Sequence, residues 1–248
     1  AAGEYDLQML RAELEMPAPL SRDFFMRFGG IYEQRWYDFS GRDYEAIFGS
    51  DETLYRIVFA PGAGVFLSDD FLVTGRGLLG YYSDIGGGVE DDDFQALGDA
   101  QAVYRLNPQA QILGGIAYAR PYEDYTLLPI GGVRLLSESG TLHVSITFPL
   151  EARLGFRLTE SMEVYGGAWA SGDRFHVRSE GEEFDVSVRE RRVGGGFSFW
   201  FGSHVNLILE AGAALAGEFE VEDLRPSRTP DQDLDPAPYL AGKVGVAL

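Results

Sequence analysis

Hydrophobic and polar residues alternate along most of this chain with the two-residue period of a β-strand. Leu142, Val144, Ile146 and Phe148 share one face of a segment whose other face carries His143, Ser145 and Thr147. From Val193 onward, Gly195, Phe197, Phe199 and Phe201 point one way, and Gly194, Gly196, Ser198 and Trp200 the other. After Val205 the apolar face is Leu207, Leu209, Ala211, Ala213 and Leu215, with Asn206, Glu210 and Glu218 on the reverse. These apolar faces stay nearly free of charge over about ten residues, the length a tilted strand needs to cross a bilayer. The pattern predicts an all-β fold, a transmembrane antiparallel up-and-down β-barrel.

Candidate strands fall at 24–38, 53–66, 71–83, 94–106, 109–120, 130–137, 141–148, 152–158, 162–178, 184–201, 205–221 and 237–248, about twelve in all. Their connections sort by parity. Leu67-Ser68-Asp69-Asp70, Asn107-Pro108, 137–140, Thr159-Glu160-Ser161 and Gly202-Ser203-His204 are short and turn-forming. Between them lie 40–52, 84–93, 121–129, 179–183 and 222–236, mostly longer and rich in acids, Gly or Pro; Pro149-Leu150-Glu151 is the short member of that set. Outer-membrane barrels place short turns on the periplasmic rim and long loops on the other, whereas a soluble sandwich has no reason to sort its loops.

Residues 1–20 are either an N-terminal extension or an extra strand, and 21–248 form the barrel domain. Leu10, Ala12, Leu14 and Met16 alternate there with Arg11, Glu13 and Glu15, which suits a strand. Such a strand would begin on the wrong rim for an even-numbered barrel. Twelve strands with an extension that plugs the interior, or fourteen with one turn misassigned, both answer this.

Aromatic residues gather near the expected strand ends. Trp36, Tyr37 and Phe39 precede one long loop, Tyr81 and Tyr82 another, and Tyr118 and Tyr122 flank a third. Tyr104, Phe199 and Phe201 sit beside short turns. Amphipathic rings favour headgroup depth, so these positions predict two girdles.

Composition narrows the reading further. The chain is 45% hydrophobic, yet its mean hydropathy is only −0.11, as expected when each strand gives half its residues to lipid. It has no apolar run of about 18 residues and so no helical span. Cysteine is absent, which removes disulfides and thiolate chemistry. A formal net charge of −19 argues against nucleic-acid binding. Lys243 is the only lysine among 20 basic residues. Arginine suits bidentate pairing with carboxylates in a partly dry interior, although a GC-rich genome gives the same bias. The start Ala1-Ala2-Gly3 shows no initiator Met and no basic-apolar leader, as expected of a mature chain after signal-peptide removal and equally of a trimmed one. The bacterial outer membrane is the expected location.

Leu128-Pro129-Ile130-Gly131-Gly132-Val133, the strand ending Phe148-Pro149, Arg153 to Leu158, and Tyr165-Gly166-Gly167 resemble a family of uncharacterised outer-membrane β-barrel proteins, catalogued as a domain of unknown function. The resemblance covers the middle third of the chain. It implies an outer-membrane barrel and no activity. The terminal strand, with Leu240, Gly242, Val244, Val246 and Leu248 on one face, resembles the signal read by outer-membrane assembly machinery, with Leu248 where an aromatic residue is usual.

If the apolar faces meet lipid, the reverse faces line the interior: Arg27, Glu33, Arg35, Arg56, Arg76, Asp99, Gln101, Arg105, Arg134, Arg153, Arg157, Glu163, Asn206 and Glu210. Rings of charge can select solutes. Arg–carboxylate pairs of mixed sign can equally fill a narrow barrel. His143-Val144-Ser145 resembles the His-x-Ser pair of outer-membrane phospholipases and lipid A deacylases, in which a His activates a hydroxyl. Here the pair lies opposite the apolar face, with no orienting acid or amide in an obvious position. Glu90-Asp91-Asp92-Asp93 and Asp231, Asp233 and Asp235 could hold Ca²⁺ but fit solvated loops. Gly86-Gly87-Gly88 and Gly194-Gly195-Gly196 form no phosphate loop; the second allows close backbone approach in mid-strand.

No catalytic residue, metal ligand or cofactor is assigned. The expected function is a non-enzymatic barrel, either a narrow channel for small solutes or a structural barrel that docks a membrane or periplasmic partner. Its expected surroundings are outer-membrane lipid and lipopolysaccharide, without nucleic acid. The alternatives are a membrane-embedded lipid esterase using His143 and Ser145, and a soluble ligand-binding β-barrel.

Overall fold

A computed structural model describes residues 4–40, 51–84, 89–119, 126–148, 151–179, 182–202, 205–222, 232–234 and 236–247. Tyr122, Gly86-Gly87-Gly88, Pro149, Ser203-His204, Asp231, Asp235, Leu248 and most of the long connections lie outside the described residues. All twelve segments picked out by alternation form strands. In chain order the elements are β1 (Glu4–Pro19), β2 (Phe24–Ser40), β3 (Asp51–Ser68), β4 (Phe71–Ser83), a 3₁₀ turn (Asp91–Asp93), β5 (Phe94–Asn107), β6 (Ala110–Ala119) and β7 (Thr126–Leu136). They continue as β8 (Leu142–Phe148), β9 (Glu151–Thr159), β10 (Met162–Ser179), β11 (Glu182–Phe201), β12 (Val205–Glu222), β13 (Gln232–Leu234) and β14 (Ala237–Ala247).

Each strand from β1 to β12 pairs antiparallel with the next, and β12 pairs antiparallel with β14. The ring closes between β14 and β1, which run parallel from Leu7↔Tyr239 to Glu15↔Ala247. Thirteen strands make the ring, and β13 only extends the projecting end of β12 at Gly217–Phe219. An odd ring of alternating strands must bring two like-directed neighbours together, so one parallel pair is a geometric necessity. That resolves the parity conflict around residues 1–20: the barrel has thirteen staves, within the expected range of about twelve to fourteen, and Glu4–Pro19 stands in the wall rather than inside it. Two tight turns, after β7 and after β11, use Gly140 and Gly202 at φ 70° and 67°, the left-handed region that favours glycine.

The pleat sends alternate side chains to opposite sides of the wall. Outside are Leu10 and Leu14 on β1, Ile57 and Phe59 on β3, Leu79 on β4, Ile112 and Ile116 on β6, Ile146 on β8, Leu154 and Phe156 on β9, Phe197 on β11, Leu209 on β12 and Leu240 on β14, all exposed. The outward positions of β5–β9, of β12 from Val205 to Leu215 and of β14 carry no charged residue. One outward amide, that of Gln34, is held between the hydroxyls of Tyr32 (2.9 Å) and Tyr55 (3.2 Å). Aromatic pairs mark the ends of neighbouring strands: Tyr81 against Phe94 at the long-connection rim, and Phe71 against Tyr104 at the short-turn rim.

The wall is uneven. β8 and β9 have 7 and 9 residues, whereas β10, β11 and β12 have 18, 20 and 18. The surplus of β10 and β11, with β12 paired along it as far as Glu222, leaves the wall and crosses the mouth. The crossing is marked by a bulge in β12, where Leu215 is the extra residue opposite Arg191 and Arg192 of β11, and the bulge bends the wall there. His176 then pairs with Ser83 of β4, a strand six steps away around one side of the ring and seven around the other. The hairpin thus reaches the opposite wall.

Candidate functional site

Under this hairpin lies the apolar core. Along β10 the strand period puts Asp173, Phe175 and Val177 on the face turned into the barrel. From β11, Phe184, Val186 and Val188 join them. They pack with Leu7, Tyr37, Leu54 and Tyr82 from β1 to β4 and with Tyr239 and Ala241 from β14. Phe175, Val177, Val186 and Val188 are fully buried. Covering one such side chain contributes about 1.5–3 kcal/mol, so the seal does not depend on its ion pairs alone.

Beneath and between these groups sit charges of alternating sign. Asp173 reaches across to Arg35 (2.5 Å) and Arg56 (3.5 Å) on β2 and β3. Arg35 also holds Glu33 at 2.6 Å, and Glu33 receives Arg11 of β1 at 3.0 Å. Beside them Arg192 pairs with Glu190, which accepts the Tyr37 hydroxyl at 3.3 Å. Arg35 and Arg56 stand over the rings of Phe175 and Tyr82, both at 5.4 Å. Buried charges are tolerated when paired and hydrogen-bonded, and here each anion meets a guanidinium or its neighbour.

A second network lines the half nearer the short turns. Glu210 on β12 accepts Tyr165 (2.7 Å), Tyr239 (3.2 Å) and Lys243 (3.1 Å). Tyr165 supports the Arg153 guanidinium at 3.8 Å from its ring, and Arg153 pairs with Glu163 at 2.7 Å. His143 lies flat across Gly155, where a Cβ would collide with the ring, and turns Nε2 toward Glu163 at 3.6 Å. No hydrogen bond joins His143 to Ser145. The arrangement gives His143 a carboxylate neighbour, not a hydroxyl to activate.

The fourteen residues expected to line the interior all occupy inward positions. Glu33, Arg35, Glu163 and Glu210 are buried. Arg56 joins the Asp173 cluster, Arg76 pairs with Asp99 at 2.9 Å, and Gln101 donates to Asp99 at 3.0 Å. Asn206 donates to Ser198 at 2.8 Å, and Arg27 stands 3.7 Å from Glu15. Arg105, Arg134 and Arg157 are exposed toward the short-turn rim, with no ion pair among the described residues.

Strand register sets Arg105, Gln111, Arg134, Ser145 and Arg153 side by side from β5 to β9. A cleft of about 360 Å³ opens there, lined by Gln109, Gln111, Arg134, His143, Ser145, Glu151 and Arg153 among others. The interior is therefore filled at one mouth and polar, with surplus arginine, at the other.

Sequence reading missed Arg11, Asp173, Glu190, Arg192, Tyr165 and Tyr239. All obey the same alternation as the residues it found. Asp173 and Glu190 lie beyond the wall, however, where nothing local says that a hairpin turns inward. No protein-family model matches this chain, and no curated protein matches it either.

Proposed function

We propose that this protein is a non-enzymatic outer-membrane β-barrel that works as a narrow, lidded channel for small solutes. The observation that carries the reading is the combination of a closed ring, an outer surface without charge over most of its strands, and ion pairs that, among the described residues, lie inside the ring or at its mouth. A soluble barrel exposing that much contiguous apolar surface would aggregate, whereas lipid requires it. The long connections face outward from the cell and the short turns face the periplasm, with lipopolysaccharide around the upper girdle. The family of uncharacterised outer-membrane barrels that the middle of the chain resembles fits the same placement.

The lid makes a permanently open porin a poor description. Asp173, Arg35 and Arg56 lock the hairpin to the far wall, and the apolar side chains exclude water around them. Solutes pass when the hairpin swings out. The arginine row on the other side then favours anions, because fixed positive charge in a low-dielectric wall attracts them. A structural barrel that never opens is the second reading, favoured by the depth of that apolar seal.

Purified protein in a planar bilayer tests this. Intact protein is expected to stay closed or flicker at small conductance, and protein clipped within 172–190 to conduct with anion preference. Lipid-phase labelling should mark Val144, Phe197 and Leu207. Labelling of Arg105, Arg157 or Glu210 instead, or monodisperse protein without detergent, would sink the membrane reading.

A further inference from the structure

The tip of the lid carries a cluster that neither the apolar seal nor the interior ion pairs require. His176 near the end of β10, Glu183 at the start of β11 and Glu90 ahead of the 3₁₀ turn each bring one ligand atom within 4.8 Å of the others. His176 is buried, with Nδ1 2.9 Å from Asp185 Oδ1 and its Nε2 shielded from solvent with no hydrogen-bond partner. A neutral imidazole that donates Nδ1–H to a carboxylate carries its lone pair on Nε2. That is the tautomer, and the supporting contact, found behind metal-ligating histidines. The same contact fixes the ring plane beside the two glutamates.

Charge at the cluster points the same way. Arg178 stands 3.4 Å from both Glu90 and Asp93 and 3.6 Å from Glu183, so one guanidinium faces three carboxylates. It reaches Oε2 of Glu90 and Oε1 of Glu183. A surplus of anions around a buried, unpartnered nitrogen is a setting for a cation.

We propose that His176, Glu90 and Glu183 bind a divalent transition-metal ion of the zinc class. One imidazole nitrogen and two carboxylate oxygens form a three-ligand set suited to a borderline cation, and the nitrogen discriminates against Ca²⁺ and Mg²⁺. The bound ion ties both strands of the hairpin to the segment before β5 on the opposite wall. Metal thereby holds the lid down. Binding depends on these three side chains alone; its effect on permeability rests on the channel reading above.

The test is calorimetric titration of the chelator-stripped full chain in detergent with Zn²⁺, alongside Co²⁺ absorption. One ion per chain is expected, with His176→Gln and Glu183→Gln each weakening binding at least about tenfold and Ca²⁺ failing to compete. Folding of each variant is checked by its mobility on unboiled gels. Should His176→Gln fail that check, Glu90→Gln, which lies outside the barrel wall, carries the test. Absence of Zn²⁺ binding, binding that neither variant weakens, or equal binding of Ca²⁺ overturns the site. Chelation should raise bilayer conductance several-fold; metal binding with unchanged conductance leaves the site standing and overturns its role at the lid.

Discussion

Two glycines on β11 decide whether the lower network can exist. A Cβ on Gly196 would fall 2.4 Å from the Leu209 carbonyl oxygen and 2.8 Å from the Tyr165 hydroxyl. One on Gly194 would fall 2.6 Å from the Tyr239 hydroxyl. Without them, Tyr165 and Tyr239 lie flat across β11 from either side and meet on Glu210. Gly155 does the same for His143. These residues look like weak points by strand propensity, and they are the places where a large polar side chain crosses its neighbour. Gly196→Val is expected to push β11 from β12 and strand Glu210 without one hydroxyl, lowering stability by roughly 2 kcal/mol or more. Urea unfolding in micelles checks it; a midpoint equal to the parent would show that the tyrosine has room elsewhere.

At the scale of elements, the β10–β11 hairpin combines two roles along one continuous pair of strands. Up to Ala170 it is wall, with Val164 and Ala168 outside and Glu163 and Tyr165 inside. Beyond the level of the β12 bulge both of its faces are covered: Phe175 and Val177 by the core, and Arg174 and His176 by Asp185 and the segment around Gln95, whose amide reaches the Arg174 carbonyl at 2.6 Å. Removing one partner from a buried ion pair costs about 3–5 kcal/mol because the other is left uncompensated. Asp173→Asn takes from Arg56 its lid carboxylate and leaves Arg35 paired with Glu33 alone. The expected result is local opening, seen as faster protease cleavage within 172–190 while the barrel keeps its mobility on unboiled gels. Cleavage at the parent rate would mean that the apolar seal alone holds the hairpin.

The molecule as a whole depends on β1. Among the described residues it is the only bridge between β2 and β14, pairing with β2 from Glu4 to Pro19 and with β14 from Leu7 to Glu15. Deleting 4–19 is therefore expected to open the ring and expose two long unpaired edges, giving aggregation and loss of heat-modifiable migration. If this segment instead plugged the interior, its removal would leave a folded barrel with raised conductance. The two outcomes separate cleanly in one gel and one bilayer recording.

Most of the barrel can be read from alternation, because each strand buries one face and shows the other, and the side-chain period records that choice residue by residue. Twelve strands, their facing and the inward charges from Arg27 to Glu210 follow from this local rule. The thirteenth stave, Glu4–Pro19, alternates as well, but its partner β14 lies at the other end of the chain, and a parallel closure leaves no turn signature. The same holds at the mouth. Alternation along β10 continues unbroken through Asp173, Phe175 and Val177 whether the strand rises in the wall or folds across it. Only the tertiary structure brings Asp173 to Arg35 and His176 to Glu90, because those meetings depend on a bulge, on unequal strand lengths and on an opposite wall more than eighty residues away in sequence for the latter pair.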